Sequence, residues 1–163
     1  MMGSKFIVFR QGVKLAITLF FSTRVRVSGS SMEPNLRDGD LLLLHKKAYA
    51  DSVPKRFDMI LFSHPDTGIS YIKRIIGLPN EMIESNGIEL MVDSTVLVEP
   101  YDVLNEDLYK PFVFQLEEGE FFVLGDNRSF STDSRLLGTI KLEWFKGRVW
   151  YRYSPRNDTH LFK

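Results

Sequence analysis

Cysteine is absent from the 163 residues. That excludes a disulfide framework, a zinc–thiolate site and a thiol nucleophile. Histidine occurs three times, as His45, His64 and His160, and none shares a motif with a serine, so the residues offer little for a serine–histidine–carboxylate hydrolase. Acidic residues are missing from positions 1–32, which carry Lys5, Arg10, Lys14, Arg24 and Arg26; all 21 acids follow. The formal net charge of zero therefore hides a basic, apolar start ahead of an acidic body. Such a start points to a membrane surface, and no nucleic-acid partner is implied. A long apolar run is also missing. The N-terminal one covers residues 15–21 and is interrupted by Thr18, whereas a perpendicular membrane span needs about 20 apolar residues.

What is present fits one domain with a core: hydrophobic residues make up 44% and charged residues 26%. Residues 6–21 read as an amphipathic helix. At about 100° per residue, Arg10, Gln11, Lys14 and Thr18 fall in one sector, and Phe9, Val13, Ala16 and Phe20 fall opposite, widened by Phe6 and Ile17. Such a helix can lie in a membrane interface, or make a short span with Arg10 and Lys14 reaching back to the cytoplasmic side. The alternative is a basic helix docked on its own domain. The expected organisation is a membrane-associated helix over residues 1–23 and a β-rich catalytic domain over 24–163.

After Thr23 the pattern becomes strand-like. Short apolar stretches at 24–27, 40–44, 59–62, 69–76, 95–98, 121–124 and 148–151 are separated by turn signals such as Pro65-Asp66-Thr67-Gly68, Asn86-Gly87 and Gly125-Asp126-Asn127. The predicted fold class is mostly β, an antiparallel sheet or partial barrel. Residues 46–57 and 99–111 read as surface loops, and 154–163 as a frayed tail.

Lys73 carries the chemistry. It lies in Tyr71-Ile72-Lys73-Arg74-Ile75-Ile76-Gly77-Leu78-Pro79, a strand-like run in which Tyr71, Lys73 and Ile75 share one face. A lysine desolvated there sheds its proton and becomes a base. Arg74, always charged, must reach solvent or a carboxylate. Ser31, in Ser28-Gly29-Ser30-Ser31-Met32-Glu33-Pro34, is the candidate nucleophile; a serine hydroxyl needs a neighbour to take its proton. Bland alternatives exist for both. Ser31 can begin a short helical turn, and Lys73 with Arg74 can be exposed charges on an edge strand.

These segments, with Gly125-Asp126-Asn127-Arg128 and the following Ser131, Asp133, Ser134 and Arg135, stand in the same order as three blocks of the bacterial type I signal peptidases. From about Val27 to Gly138 the chain resembles that family, in its compact, Gram-positive-like form. The resemblance implies a membrane-bound serine endopeptidase with a Ser/Lys dyad. It would remove signal peptides from exported precursor proteins after small residues, in an Ala-x-Ala pattern. It also implies a catalytic domain on the extracytoplasmic side of the cell membrane, with precursor proteins and membrane lipid as partners. It implies no cofactor and no metal. Ser31 then matches the nucleophile and Lys73 the general base. Ser131 matches a serine that hydrogen-bonds and orients the lysine. Asp133 and Arg135 match a supporting ion pair, and Asp126, Asn127 and Arg128 brace the loop. The amide of Ser31 is the natural oxyanion donor. Gly29 stands where some relatives have a serine hydroxyl as second donor, so Ser28 or Ser30 would have to replace it. Substrate is expected to bind as a strand along Val27 and Tyr71-Ile72, with Gly29, Met32, Tyr71 and Ile72 at its binding surface; Leu36 is as readily a core residue. Two competing readings remain: an accessory protein of signal-peptidase type that binds exported or pilin-type precursors without cleaving them, and a self-cleaving repressor, for which no DNA-binding helix-turn-helix segment precedes the dyad.

Overall fold

The computed structural model describes residue 20 and residues 22–104, 110–154 and 159–162. The helix expected over residues 6–21 lies outside the described residues, apart from Phe20. Twelve strands follow among those residues: β1 (Ser22–Arg26), β2 (Leu41–His45), β3 (Met59–Ser63), β4 (Ser70–Gly77), β5 (Met82–Ser85), β6 (Leu90–Val92), β7 (Thr95–Val96), β8 (Phe112–Gln115), β9 (Glu120–Leu124), β10 (Ile140–Lys141), β11 (Phe145–Tyr153) and β12 (His160–Leu161). A single α-helical turn, α1 (Ser134–Leu137), precedes β10.

The strands form two antiparallel sheets. The larger runs β1-β2-β11-β3-β4-β9-β10, with β12 added to β11; the smaller runs β7-β6-β5-β8. The mostly β, antiparallel expectation therefore holds. Three details differ from the sequence reading. β1 begins at Ser22, two residues before the expected start of the β-rich part. Residues 154–163 are not wholly a tail, because Leu161 and His160 pair with Tyr151 and Arg152. Most of the smaller sheet was not foreseen, since β5, β6 and β8 are three or four residues long, too short for alternation to register.

Burial follows the pleat. In β2, Leu42 and Leu44 are buried while their neighbours Leu41, Leu43 and His45 are half-buried. They join Val27, Met32, Leu36, Met59 and Val149 in one cluster. A second cluster, Ile60, Phe62, Ile75, Phe121, Val123 and Ile140, lies around β3, β4 and β9. The third, including Ile76, Ile83, Leu116 and Phe122, joins the two sheets. Gly77 makes that junction possible: a Cβ there would sit 2.7 Å from side-chain carbons of Ile83 and Leu116.

β4 is central. It pairs with β3 from Ser70 to Arg74, but with β9 only from Arg74 onward. Among the described residues, Ser70, Tyr71, Ile72 and Lys73 thus carry a ladder on the β3 side alone, and the other side of this half-strand is open.

Candidate active site

The segment from Val27 to Asp40 is a tight excursion between β1 and β2, and its backbone bonds close on themselves. Val27 N–H donates to Asp40 O at 2.8 Å and Gly39 N–H to Val27 O at 3.0 Å. Glu33 N–H donates to Ser30 O at 3.0 Å and Leu36 N–H to Met32 O at 2.8 Å. Asp38 Oδ1 accepts from Gly29 N–H at 2.9 Å. Met32 (2% exposed) and Leu36 (0%) drive the turn into the core, each burial worth about 1.5–3 kcal/mol. Ser31, between these anchors, is left half-buried.

Lys73 reaches it. Lys73 Nζ donates to Ser31 Oγ at 2.6 Å and to Ile72 O at 3.0 Å. The lysine is 2% exposed, and it faces away from solvent as the strand pattern predicts. Burial lowers its pKa from 10.5 to about 8, against the opposing pull of Asp133 and Asp126 and with a small further push from Arg135. At about 8, a substantial neutral fraction exists in mildly alkaline solution. A hydroxyl and a partly deprotonated amine thus stand within hydrogen-bond distance, the arrangement that a nucleophile and its base require. The histidines pack elsewhere: His64 against Trp144, with ring centroids 5.6 Å apart, and His160 against Phe162 at 4.8 Å.

Arg74, the neighbour of Lys73, is also buried, at 6% exposure, and finds its carboxylate in Asp126, which is 0% exposed. Arg74 Nε donates to Asp126 Oδ1 at 2.8 Å and Nη2 to Oδ2 at 2.6 Å. Its guanidinium lies 3.8 Å from the Tyr101 ring centroid. Burial pushes the Asp126 carboxyl above the ordinary range, while Arg74 and then Asn35 pull it back. Asp126 thus does more than brace its own loop: it ties that loop to β4.

Asn127 and Arg128 make the side-chain-to-backbone bonds expected of them. Asn127 Nδ2 donates to Ser30 O at 3.3 Å and its N–H to Ser31 O at 3.1 Å; Arg128 Nε donates to Gly125 O at 2.8 Å. Arg128 also pairs with Glu99. Asp133 and Arg135 form the anticipated ion pair at 2.8 Å. Asp133 Oδ2 accepts from Gly125 N–H at 3.0 Å, and Arg135 Nη2 donates to Arg128 O at 2.8 Å.

Ser131 departs from expectation. Its Oγ is buried without a hydrogen-bond partner among the described residues, whereas Lys73 is held by Ser31 and Ile72 O. Ser131 packs against Gly125, where a Cβ would meet Ser131 Oγ at 2.2 Å and Ser31 O at 2.4 Å. Gly125, the first residue of the third sequence block, leaves room for the two serine segments to meet.

The proposed substrate residues divide. Val27 (5% exposed) and Met32 are core, and both backbone polar groups of Val27 are taken by Gly39 and Asp40. Neither offers a free surface, because the turn needs both to hold Ser31. Gly29 is exposed. Tyr71 and Ile72 are half-buried on the open half of β4. Tyr71 stacks on Phe62 at 5.6 Å, and Lys73 Nζ lies 5.9 Å from the Tyr71 ring centroid.

Comparison with known proteins shows the family. The sequence model of the family described as signal peptidase, peptidase S26, matches residues 3–154. The chain belongs to this family. Signal peptidase I of Bacillus caldolyticus is 35% identical over 156 residues, covering 88% of this chain and 85% of its own. Signal peptidase IB of Staphylococcus aureus strain COL is 30% identical, covering 85% and 81%. A crystal structure of a signal peptidase I from Enterococcus faecalis V583 is 34% identical and superposes with a TM-score of 0.52 over 60% of this chain and 97% of that one. The named relatives belong to Gram-positive genera, as the compact form implies. Among the described residues no helix is long and apolar enough to cross a membrane.

Sequence reading missed Asn35, Glu99 and Tyr101. Asn35 directly follows the Ser-Met-Glu-Pro block, which was its one signal. Glu99 and Tyr101 fell in a stretch read as surface loop.

Proposed function

We propose that this serine peptidase removes signal peptides from exported precursors by a Ser31–Lys73 mechanism. The observation that carries the reading is the 2.6 Å contact between Ser31 Oγ and the Nζ of a buried lysine. Neutral Lys73 takes the Ser31 proton as Oγ attacks the scissile carbonyl carbon. The tetrahedral oxyanion then faces the Ser31 N–H, with a hydroxyl of Ser28 or Ser30 available on the same turn. The Lys73 ammonium returns the proton to the departing amine. A water, activated by the again neutral lysine, then hydrolyses the acyl-enzyme. Ser131 stands beside Gly125 as a polar neighbour of the Ser31 segment. The substrate adds as a strand on the open half of β4, along Tyr71 and Ile72, and small residues of Ala-x-Ala type precede the cut. Residues 6–21 associate with the membrane, and the catalytic domain stands on its extracytoplasmic side.

The deciding experiment is cleavage of a model preprotein by the purified full chain in detergent, compared with Ser31→Ala. Cleavage at a single site by the wild type and none by the variant is the expected result. Equal cleavage by both removes Ser31 from the mechanism.

A further inference from the structure

We propose that Asn35 is a positioning residue that sets the Ser31–Lys73 separation through the Asp126 carboxylate. The proposal rests on the dyad reading above and adds a group outside the three sequence blocks.

Ser31 and Lys73 belong to elements 42 residues apart in sequence, and their hydrogen bond alone does not fix how close they come. A second tie runs beside it. Asn35 Nδ2, four residues after the nucleophile, donates to Asp126 Oδ2 at 2.9 Å and to Asp102 O at 2.7 Å. Asp126 in turn grips Arg74, the residue next to Lys73, with both carboxylate oxygens. The turn that bears the nucleophile is thereby locked in register with the strand that bears the base.

Each link is suited to hold position. Asp126 is fully buried, so its lone pairs must be met inside the protein, and a two-pronged guanidinium with an amide donor meets them directionally. The Asn35 carbonyl accepts from Arg152 of β11, which holds the backbone of Asn35 while its side chain reaches Asp126. The segment containing Asp102 is fastened to the same loop: Leu104 N–H donates to Asp126 O at 2.9 Å and Arg128 N–H to Leu104 O at 2.8 Å. An apolar residue at 35 would leave Asp126 and Asp102 each short of a donor. The turn could then drift away from β4 and admit water beside Lys73.

This predicts a kinetic signature. In Asn35→Leu, kcat falls by between about tenfold and a hundredfold, as expected for a reacting group displaced by a fraction of an ångström to an ångström. KM stays near the wild-type value, because residue 35 does not line the open half of β4. The acidic limb of the pH–rate profile, placed at about 8 by the burial of Lys73, moves upward as the lysine is hydrated. In an Asp126→Ala background, Asn35→Leu adds little further loss, since both changes remove the Asn35–Asp126 bond.

The test is steady-state cleavage of a preprotein by full-length Asn35→Leu in detergent across pH, with Asn35→Ala as a smaller replacement should the leucine not fold. A lower kcat with the limb displaced upward is the expected result. A wild-type kcat and limb, even with a lower melting temperature, makes Asn35 merely structural and overturns the proposal. So does a raised KM with kcat unchanged. Ser31→Ala, assayed alongside, separates the failures. If it is inactive while Asn35 variants behave as wild type, only the positioning role fails; if it is active, the dyad itself fails.

Discussion

The two sheets meet at Gly77 but are built on opposite terms. Around the half-open β4, the larger sheet buries Lys73, Arg74, Asp126, Arg128 and Asp133. The smaller sheet and its junction bury Ile83, Leu90, Leu116 and Phe122, with Phe112 and Phe114 packed over them; Phe114 and Phe122 lie 4.9 Å apart. The first region holds buried charge in place beside two apolar clusters of its own, and the second is held chiefly by apolar packing. The difference teaches where function can reside. An unpaired ammonium is unfavourable inside a protein, so a buried lysine marks a site whose surroundings are built to hold it.

The sharpest way to break the comparison is to remove the atoms proposed to react. Ser31→Ala, Lys73→Ala and Lys73→Arg are each expected to lower turnover by at least about a thousandfold while circular dichroism stays native, and the Ser31→Ala/Lys73→Ala double variant should be no worse than either single. Arginine fails at position 73 because a guanidinium holds its proton at any working pH.

Next comes the buried pair. Asp126→Ala should cost about 3–5 kcal/mol of stability in denaturant titration, because it strands Arg74 inside the protein. It should lower turnover as well. In the smaller sheet, Ile83→Val should cost only about 0.5–1.5 kcal/mol and leave turnover per folded molecule unchanged. Equal loss of turnover from the two changes would mean that the regions are not functionally distinct.

A further effect has the opposite sign. Lys73 has a lower pKa folded, about 8, than its ordinary 10.5, so the native state binds fewer protons than the unfolded chain between these values. Stability contributed by this group therefore rises with pH from about 8 to 10.5, and below that window the buried charge costs about 3 kcal/mol. Lys73→Met should raise the unfolding free energy at pH 7 by up to that amount, with the gain shrinking at alkaline pH.

How much of this was legible in the sequence follows the same division. Ser31, Lys73 and the Asp133–Arg135 pair were legible through the family resemblance of their three ordered blocks, since serine or lysine alone is as readily structural, and β4 reads as a strand because Ile72, Ile75 and Ile76 leave little else for it to be. The smaller sheet was largely hidden because β5, β6 and β8 are short and become a unit only through pairing and burial against β9. Asn35 and Tyr101 were hidden for a related reason. Neither has a local pattern; each gains its role from Asp126 and Arg74, residues distant in sequence. Met32 and Val27 misled in the other direction, because a residue beside a nucleophile can serve by anchoring the turn and not by touching substrate. Ser131 was expected on Lys73, yet the lysine bonds Ser31 and Ile72 O.

The most direct measurement is the pH dependence of kcat/KM for preprotein cleavage by the full chain, which reports the ionisation of the free enzyme. A single acidic limb near 8, abolished with all activity in Lys73→Arg, is the predicted result. A limb near the pKa of about 10.4 of a free lysine, or activity that survives in Lys73→Arg, would contradict the buried Ser31–Lys73 pair as the catalytic engine.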